Sequence, residues 1–257
     1  MLGKVKLAAA GAVVATMCAG GVAIAAGAAI ELPSQSWPFK GVFGTFDRAA
    51  LQRGFQVYQE VCAGCHSIRL VAYRNLDALG YNEDEIKAIA AEATVTDGPD
   101  EEGEMFDRPG KPSDKFVPPF ANDQAAAASN NGAIPPDLSL ITKARKRGHD
   151  YMYALMVGYE DEAPEGVEIG EGQYYNAYFP GHAISMPPPL FDGAVEYADG
   201  TPATMDQMAH DVTTFLAWTA QPELEERKRM GVKVILFLIV LTAMLYAVKR
   251  KVWADVH

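Results

Sequence analysis

Residues 61–70 read V-C-A-G-C-H-S-I-R-L, and the spacing of Cys62, Cys65 and His66 restricts this chain more than any other feature. Two thiols three positions apart with an imidazole directly behind suit three chemistries. These are a redox dithiol, half of a zinc site, or a haem c held by two thioether bonds with the histidine on its iron. In the last case both sulfurs reach vinyl groups along one porphyrin edge, and the adjacent imidazole faces the metal. A structural zinc site wants four protein ligands. Apart from Cys18, near the N-terminus, there is no further cysteine, and His149, His182, His210 and His257 form no paired motif. A thioredoxin-like dithiol wants a βαβ surrounding, and none is visible. One covalent haem therefore fits best, with His66 as its proximal ligand. The sixth position is open to a methionine, a histidine or a small molecule. Met186, followed by Pro187-Pro188-Pro189, and His182 four residues earlier are the rivals.

Both ends of the chain point to a membrane. Lys4 and Lys6 precede a long run of small and apolar residues, and Ala23-Ile24-Ala25 and Ala26-Gly27-Ala28 both fit a small-x-small cleavage pattern. We read residues 1–28 as a secretory signal peptide. Cys18 lies inside it, behind a Met17 too bulky for a lipoprotein signal, so the mature chain keeps only Cys62 and Cys65. Disulfides then do not staple it. Near the other end, residues 234–248 are about 15 apolar positions, roughly 22 Å of helix and short of a ~30 Å hydrocarbon core. Snorkelling by Lys233 and Lys249 extends the span to about 20 residues, which crosses. Lys249, Arg250 and Lys251 favour a cytoplasmic tail, but Arg227, Lys228 and Arg229 nearly balance them. The signal peptide decides the orientation. Residues 29–222 are a periplasmic haem domain, and 223–257 are a charged linker, anchor and short cytoplasmic tail in the cell membrane.

Between these ends two helices stand out. Asp47 is a candidate N-cap, after which Leu51, Phe55, Tyr58 and Cys62 recur on one face. Gly54, in the middle, costs ~1 kcal/mol against Ala unless its missing side chain admits a close helix crossing. Thr204 and Gln207 form a capping box, Met208, Val212, Phe215, Leu216 and Thr219 share one face, and Pro222 ends the run. Shorter helices are expected over 82–92 and 143–157. The rest is rich in Pro, Gly and Asn, with no internal repeat and no alternation strong enough for a substantial sheet. A loop-heavy domain without disulfides gains a packing surface from a haem. The formal net charge of −11 over 257 residues argues against nucleic acid and suits a cationic protein partner.

Five blocks together resemble one family, the cytochrome c1 subunits of cytochrome bc1 complexes. They are RGFQVYQEVCAGCHSIRLVAYRNL, NNGAIPPDLSLITKAR, GQYYNAYFPGHAISMPPPL, DGTPATMDQMAHDVTTFLAWTAQPE and RKRMGVKVILFLIV, in that order, within about residues 37–253. The resemblance implies an all-α cytochrome c fold with long loop insertions and one C-terminal transmembrane helix. It implies His66 and Met186 as axial ligands and Cys62 and Cys65 as thioether sites. Asn130, Pro135 and Pro136 would line the haem, and Arg145 and Tyr151 would lie by its propionates. The implied partners are cytochrome b, a Rieske iron–sulfur protein as donor, and a soluble or tethered cytochrome c as acceptor. Some bacterial relatives carry a disulfide in the insertion before the methionine ligand. Here no cysteine is available there, so tyrosines, Phe179 and prolines are expected to hold that loop. The competing functions are another membrane-tethered c-type electron carrier and a haem-free, membrane-anchored thiol oxidoreductase.

Overall fold

The computed structural model describes residues 30–254; the expected signal peptide and Cys18 lie outside them. The first helix, α1, spans Arg48–Val57, and Asp47 caps it by accepting from the Ala49 and Ala50 N–H groups. It runs on into a π-helical turn, Tyr58–Cys62. A 3-10 helix, Tyr73–Leu79, and α2, Glu83–Ala91, follow. After α3 (Asp123–Ser129), α4 (Ile141–Ala144) and α5 (Gly148–Val157) come the two long helices α6 (Met205–Ala220) and α7 (Leu224–Val252).

The core forms where α1 crosses α6. Leu51 and Phe55 on one helix and Met208, Val212, Phe215 and Trp218 on the other are buried. The Phe55 and Phe215 rings stand 5.5 Å apart. Gly54 is placed against the backbone of α6, where an added Cβ would collide with the Asp211 carbonyl oxygen. The close-crossing reading of that glycine therefore holds. Its neighbour Arg53 uses the approach to grip the buried Asp211 carboxylate through Nε (2.7 Å) and Nη2 (3.2 Å), while Nη1 reaches Asp199 at 2.8 Å. Those hydrogen bonds, Asp211's first, raise the Arg53 pKa against the effect of burial.

The structure differs from the sequence reading in four places. The chain is mostly helical but not all-α: β1 (Thr94–Asp97) pairs antiparallel with β2 (Phe106–Pro109), and β3 (Tyr174–Tyr175) with β4 (Ala183–Ile184). The first hairpin has no buried face, so no apolar alternation marks it. The helix expected over 143–157 is two pieces. Arg145 is extended and Arg147 left-handed at φ 53°, and Gly148 packs so closely that a Cβ would meet the Thr142 carbonyl. Thr204 caps α6 through the Gln207 N–H, but the Gln207 amide bonds Asp211 rather than closing the box. The charged segment after Pro222 is not a linker but the first turns of α7.

Those first turns belong to the globular body. Leu224 is buried, Glu225 accepts from the Phe46 N–H (2.8 Å) and from Arg48 (3.0 Å), and Lys228 donates to the Phe39 and Gly44 carbonyls. Further along, α7 leaves the protein and is long and apolar enough to cross a membrane. Ile235, Phe237 and Leu238 lie exposed on it, which is not how a core helix presents itself.

Gly54→Ala tests the crossing. Overpacking against a backbone atom costs about 1–3 kcal/mol, and at this size each kcal/mol lowers Tm by roughly 2–4 °C. Thermal denaturation should therefore show a clear loss; an unchanged Tm would mean that the helices do not meet at Gly54.

Candidate haem site

The π-helical turn is the local device that presents the cysteine motif. The Ala63 N–H reaches back to the Tyr58 carbonyl at 2.7 Å, and both the Cys65 and His66 N–H groups then bond the Cys62 carbonyl. Such π-turns inside helices often occur at functional sites. Neither Cys62 nor Cys65 is in a disulfide; Cys62 is half-buried and Cys65 exposed. Desolvation, with a smaller contribution from Cys65, pushes the Cys62 thiol up to about 12. A reactive thiol works through a lowered pKa, so Cys62 is not activated as a nucleophile. Among the described residues no three His, Cys, Asp or Glu side chains converge as donors for a metal ion.

The segment around Pro135 and Pro136 forms the back wall of His66. The His66 Nδ1 lies 2.8 Å from the Pro136 carbonyl oxygen. A carbonyl only accepts, so Nδ1 carries the proton and Nε2 keeps its lone pair for a metal. Burial lowers the His66 pKa, keeping the ring neutral, although the Pro136 contact opposes this. Asp137 locks the two segments together. Its carboxylate accepts from Ser67 Oγ (2.8 Å), the Arg69 N–H (3.0 Å) and the Ser139 N–H (2.9 Å). Burial works to raise the Asp137 pKa, yet these bonds hold it below the usual carboxylate range.

Met186 is half-buried against the core, beside the prolines that follow it. The two candidate ligands share one support. The Tyr58 hydroxyl donates to the His66 carbonyl at 3.0 Å, and the Tyr159 hydroxyl donates to the Met186 carbonyl at 3.0 Å. Burial first, then nearby groups, raises both phenol pKa values, so each stays a protonated donor. His182, the rival, is tied into its hairpin through Nδ1, which leaves Nε2 uncommitted as at His66. Its Nδ1 lies 3.2 Å from the Asn176 carbonyl, and its ring stacks on Tyr175.

The remaining predicted pocket residues divide. Pro136 reaches His66, with Pro135 half-buried beside it. Tyr151 is buried, and burial raises its phenol pKa while the nearby exposed Arg145 works to lower it. Asn130 instead closes the end of α3, donating to the Ala126 carbonyl at 2.7 Å. Sequence reasoning missed Tyr58 and Tyr159 as carbonyl clamps, Asp137 as the lock and Asn176 as the brace. Asp137 could have been suspected, because an acid follows the two prolines directly. Asn176 had no signal beyond its place in a polar loop.

Asn176 is fully buried and does what the expected tyrosines and prolines do only in part. Its Nδ2 donates to the Leu155 carbonyl (2.9 Å), and its Oδ1 accepts from the Tyr178 and Phe179 N–H groups (3.0 and 3.1 Å). Its own N–H bonds the His182 carbonyl. Gly158 lets the loop close, since a Cβ there would meet the Tyr178 ring. Asn176→Ala should therefore take the side-chain partner from the Leu155 carbonyl and from the Tyr178 and Phe179 N–H groups, at about 1–3 kcal/mol for each left unsatisfied. Limited proteolysis should then cut between residues 158 and 186 before any other region. Unchanged resistance would remove Asn176 as the brace.

The residues fit a haem c: two unpaired cysteines at the right spacing, an imidazole with one nitrogen committed and the other free, and a supported thioether. Comparison with known proteins agrees. The Cytochrome C1 family model matches residues 37–256. Cytochrome c1 of Rhodospirillum rubrum is 53% identical over 98% of this chain and 97% of its own. A protein of Solanum tuberosum named cytochrome c1-2, heme protein, mitochondrial, is 57% identical over 81% of this chain and 80% of its own. The cytochrome b-c1 complex catalytic subunit of Candida albicans is 51% identical over 87% and 78%. On this evidence the chain belongs to the cytochrome c1 family.

Proposed function

We propose that the protein is the membrane-anchored, monohaem c1 subunit of a quinol–cytochrome c oxidoreductase, with its haem domain on the periplasmic side. It would take electrons from a Rieske iron–sulfur protein and pass them to a cytochrome c, alongside a cytochrome b that carries quinol chemistry. The observation that supports this reading is the His66 ring itself, whose Nδ1 is committed to the Pro136 carbonyl so that Nε2 is left for iron; Met186, whose backbone carbonyl is held by Tyr159, is the sixth ligand we propose. Cys62 and Cys65 would hold the haem through thioethers, and His66 Nε2 and Met186 Sδ would ligate iron. Bound there, the group supplies a one-electron couple. The chain's own residues do no acid–base chemistry. Asp137, Tyr58 and Tyr159 keep the ligand-bearing backbones in place, so little rearranges when the charge changes. Arg145 and Tyr151 would neutralise and hydrogen-bond haem propionates, and Pro135 and Pro136 would shape the wall, with Asn130 acting at most through the end of α3 that it closes.

Met186→Leu preserves volume and apolarity but removes the lone pair. Haem should stay attached while the reduction potential falls, within the ~0.8 V range that axial ligands command, and the ferric sulfur-to-iron band disappears. His182→Gln should leave both nearly unchanged. Retention of the wild-type potential and band in Met186→Leu would remove Met186 as the ligand. A protein without a haem spectrum would overturn the whole reading.

The acceptor surface follows from charge. Of the acidic run over 97–104, Asp97 pairs with Arg108, and Asp100 caps the hairpin turn by accepting from the Glu102 and Glu104 N–H groups. The second run, Glu160, Asp161, Glu162 and Glu165, is fully exposed and starts next to Tyr159, which holds Met186. We assign docking of a basic cytochrome c to this second run. Rim charges act mainly on association rate. Neutralising these four residues should lower kon and flatten its salt dependence with the haem spectrum unchanged. Neutralising Glu101, Glu102 and Glu104 should do less; the reverse order would move the docking surface to the hairpin.

A further inference from the structure

The loop 40–44 is pinned to α7 and carries an exposed apolar tip. It is gathered at both ends by one side chain of the anchor helix: Lys228 Nζ donates to the Phe39 carbonyl at 2.6 Å and to the Gly44 carbonyl at 2.9 Å. Phe39 and Phe46 on either side are buried, with ring centroids 4.9 Å apart. Gly41 is left-handed at φ 78°, and Gly44 packs so tightly on the Lys40 carbonyl that no Cβ fits. The loop is thus a tight, pinned turn rather than a loose one. Yet its tip carries two apolar side chains in the open, Val42 at 64% and Phe43 at 84% exposure. Phe43 is the most exposed large apolar side chain among the described residues. A soluble surface gains nothing from holding a phenylalanine out on a rigid turn.

The geometry of α7 says what lies below that tip. The Phe46 N–H is bonded to Glu225, one helical turn before Lys228, so the chain climbs toward the body from Gly44 to Phe46. The part held by neither contact, residues 41–43, projects away from the body. Lys228 precedes Val234, where the exposed apolar stretch of α7 begins, by six residues, or about 9 Å of helix. Residues 41–43 turn rather than extend, so the tip passes the pinned carbonyls by the depth of the turn and the length of the exposed Phe43 side chain. The charges on this part of α7 are ordered for a lipid surface. Glu223, Glu225 and Glu226 come first, and Arg227, Lys228, Arg229 and Lys233 come nearer the span. Bases at that height face phosphate headgroups, and aromatic side chains are favoured at the same level.

We propose that Val42 and Phe43 insert into the headgroup boundary of the bilayer on the haem-domain side, so that loop and anchor together set the height and tilt of the domain. This rests on the reading of α7 as a membrane span. Lys228 would then serve two contacts at once, holding the loop and fixing its level against the helix that crosses.

Site-directed spin labelling of the full, haem-bearing chain tests this, with Cys18 of the leader replaced by Ser. Labels at Phe43→Cys, Met105→Cys on the first hairpin and Leu238→Cys in the span are compared in phosphatidylcholine–phosphatidylglycerol vesicles. The readout is relative collision with oxygen and with a water-soluble nickel chelate. The expected result is an oxygen-to-nickel ratio at 43 several-fold above that at 105 and below that at 238. A larger phosphatidylglycerol share should raise it further. Val42→Cys is a second reporter should Phe43→Cys not accumulate. An aqueous ratio at 43 with a buried ratio at 238 overturns the loop contact and leaves the span standing. Aqueous ratios at both positions overturn the span and this proposal with it. A label at 43 shielded from both reagents in the assembled complex overturns the proposal in favour of a protein partner covering the tip.

Discussion

Where α1 crosses α6, the absent side chain of Gly54 brings two backbones together, and the Arg53–Asp211 pair closes over the contact. Each helix leads directly to a functional part of the molecule. The C-terminal end of α1 winds into the π-turn that carries Cys62, and the C-terminal end of α6 passes through Pro222 into the anchor helix. The start of α1 is tied to the start of α7 by Phe46, Arg48 and Glu225. Cysteine motif and anchor therefore sit at opposite ends of one helix of ten residues, about 15 Å long. A single helix pair thus fixes the cysteine motif relative to the start of α7. Asp211 is fully buried, and leaving a buried carboxylate unpaired costs about 3–5 kcal/mol. Slippage at this crossing is correspondingly unfavourable.

Much of this could be read from residue spacing, and the failures share a cause. Asp47 and Thr204 are N-caps as expected, because a cap is a local arrangement visible within four residues. The one-face stripe of α6 is buried because a 3.6-residue period reports directly on burial. The first hairpin escaped notice since both its faces meet solvent, and its pairing depends on Arg108 bridging Asp97 and Asp114 instead of on apolar alternation. The break between α4 and α5 depends on a left-handed Arg147, a residue type that gives no warning of it. At the site, Cys62, Cys65 and His66 announce themselves because covalent attachment demands a contiguous motif. Tyr58, Asp137, Tyr159 and Asn176 act through backbone atoms of residues far away in the chain or on the opposite side of a turn. No spacing rule points to a phenol whose partner is a carbonyl.

The same reasoning explains why the acidic composition splits into two kinds of acid. Asp137, Asp150 and Asp211 are enclosed and satisfied. Asp150, for example, accepts from Trp37 Nε1 at 2.8 Å and the Gln35 N–H at 3.2 Å, tying residues 35–40 to α5. Such carboxylates hold segments together and are unavailable to partners. The exposed acids are what remain for long-range steering. A net charge of −11 therefore overstates the role of any one of them and describes a field instead.

The two ligand-bearing segments are not equally secure. His66 adjoins Cys65 in the chain, and its neighbours Ser67 and Arg69 are clamped by Asp137 through two hydrogen bonds, so the loss of one leaves the other in place. Met186 ends an excursion that leaves the body after Gly158 and is held by Asn176, Tyr159, the short β3–β4 pair and the packing of Phe179 and Ile184 on the core. A disulfide across such an excursion contributes about 2–5 kcal/mol, mostly by restricting the unfolded chain. The buried Asn176 amide offers a comparable sum from three hydrogen bonds, but only while the loop is folded. A disulfide persists when the loop opens; these bonds break together. Local opening of residues 158–186 is thus the cheapest cooperative unfolding available near the site. It releases the methionine side first and leaves the histidine side intact.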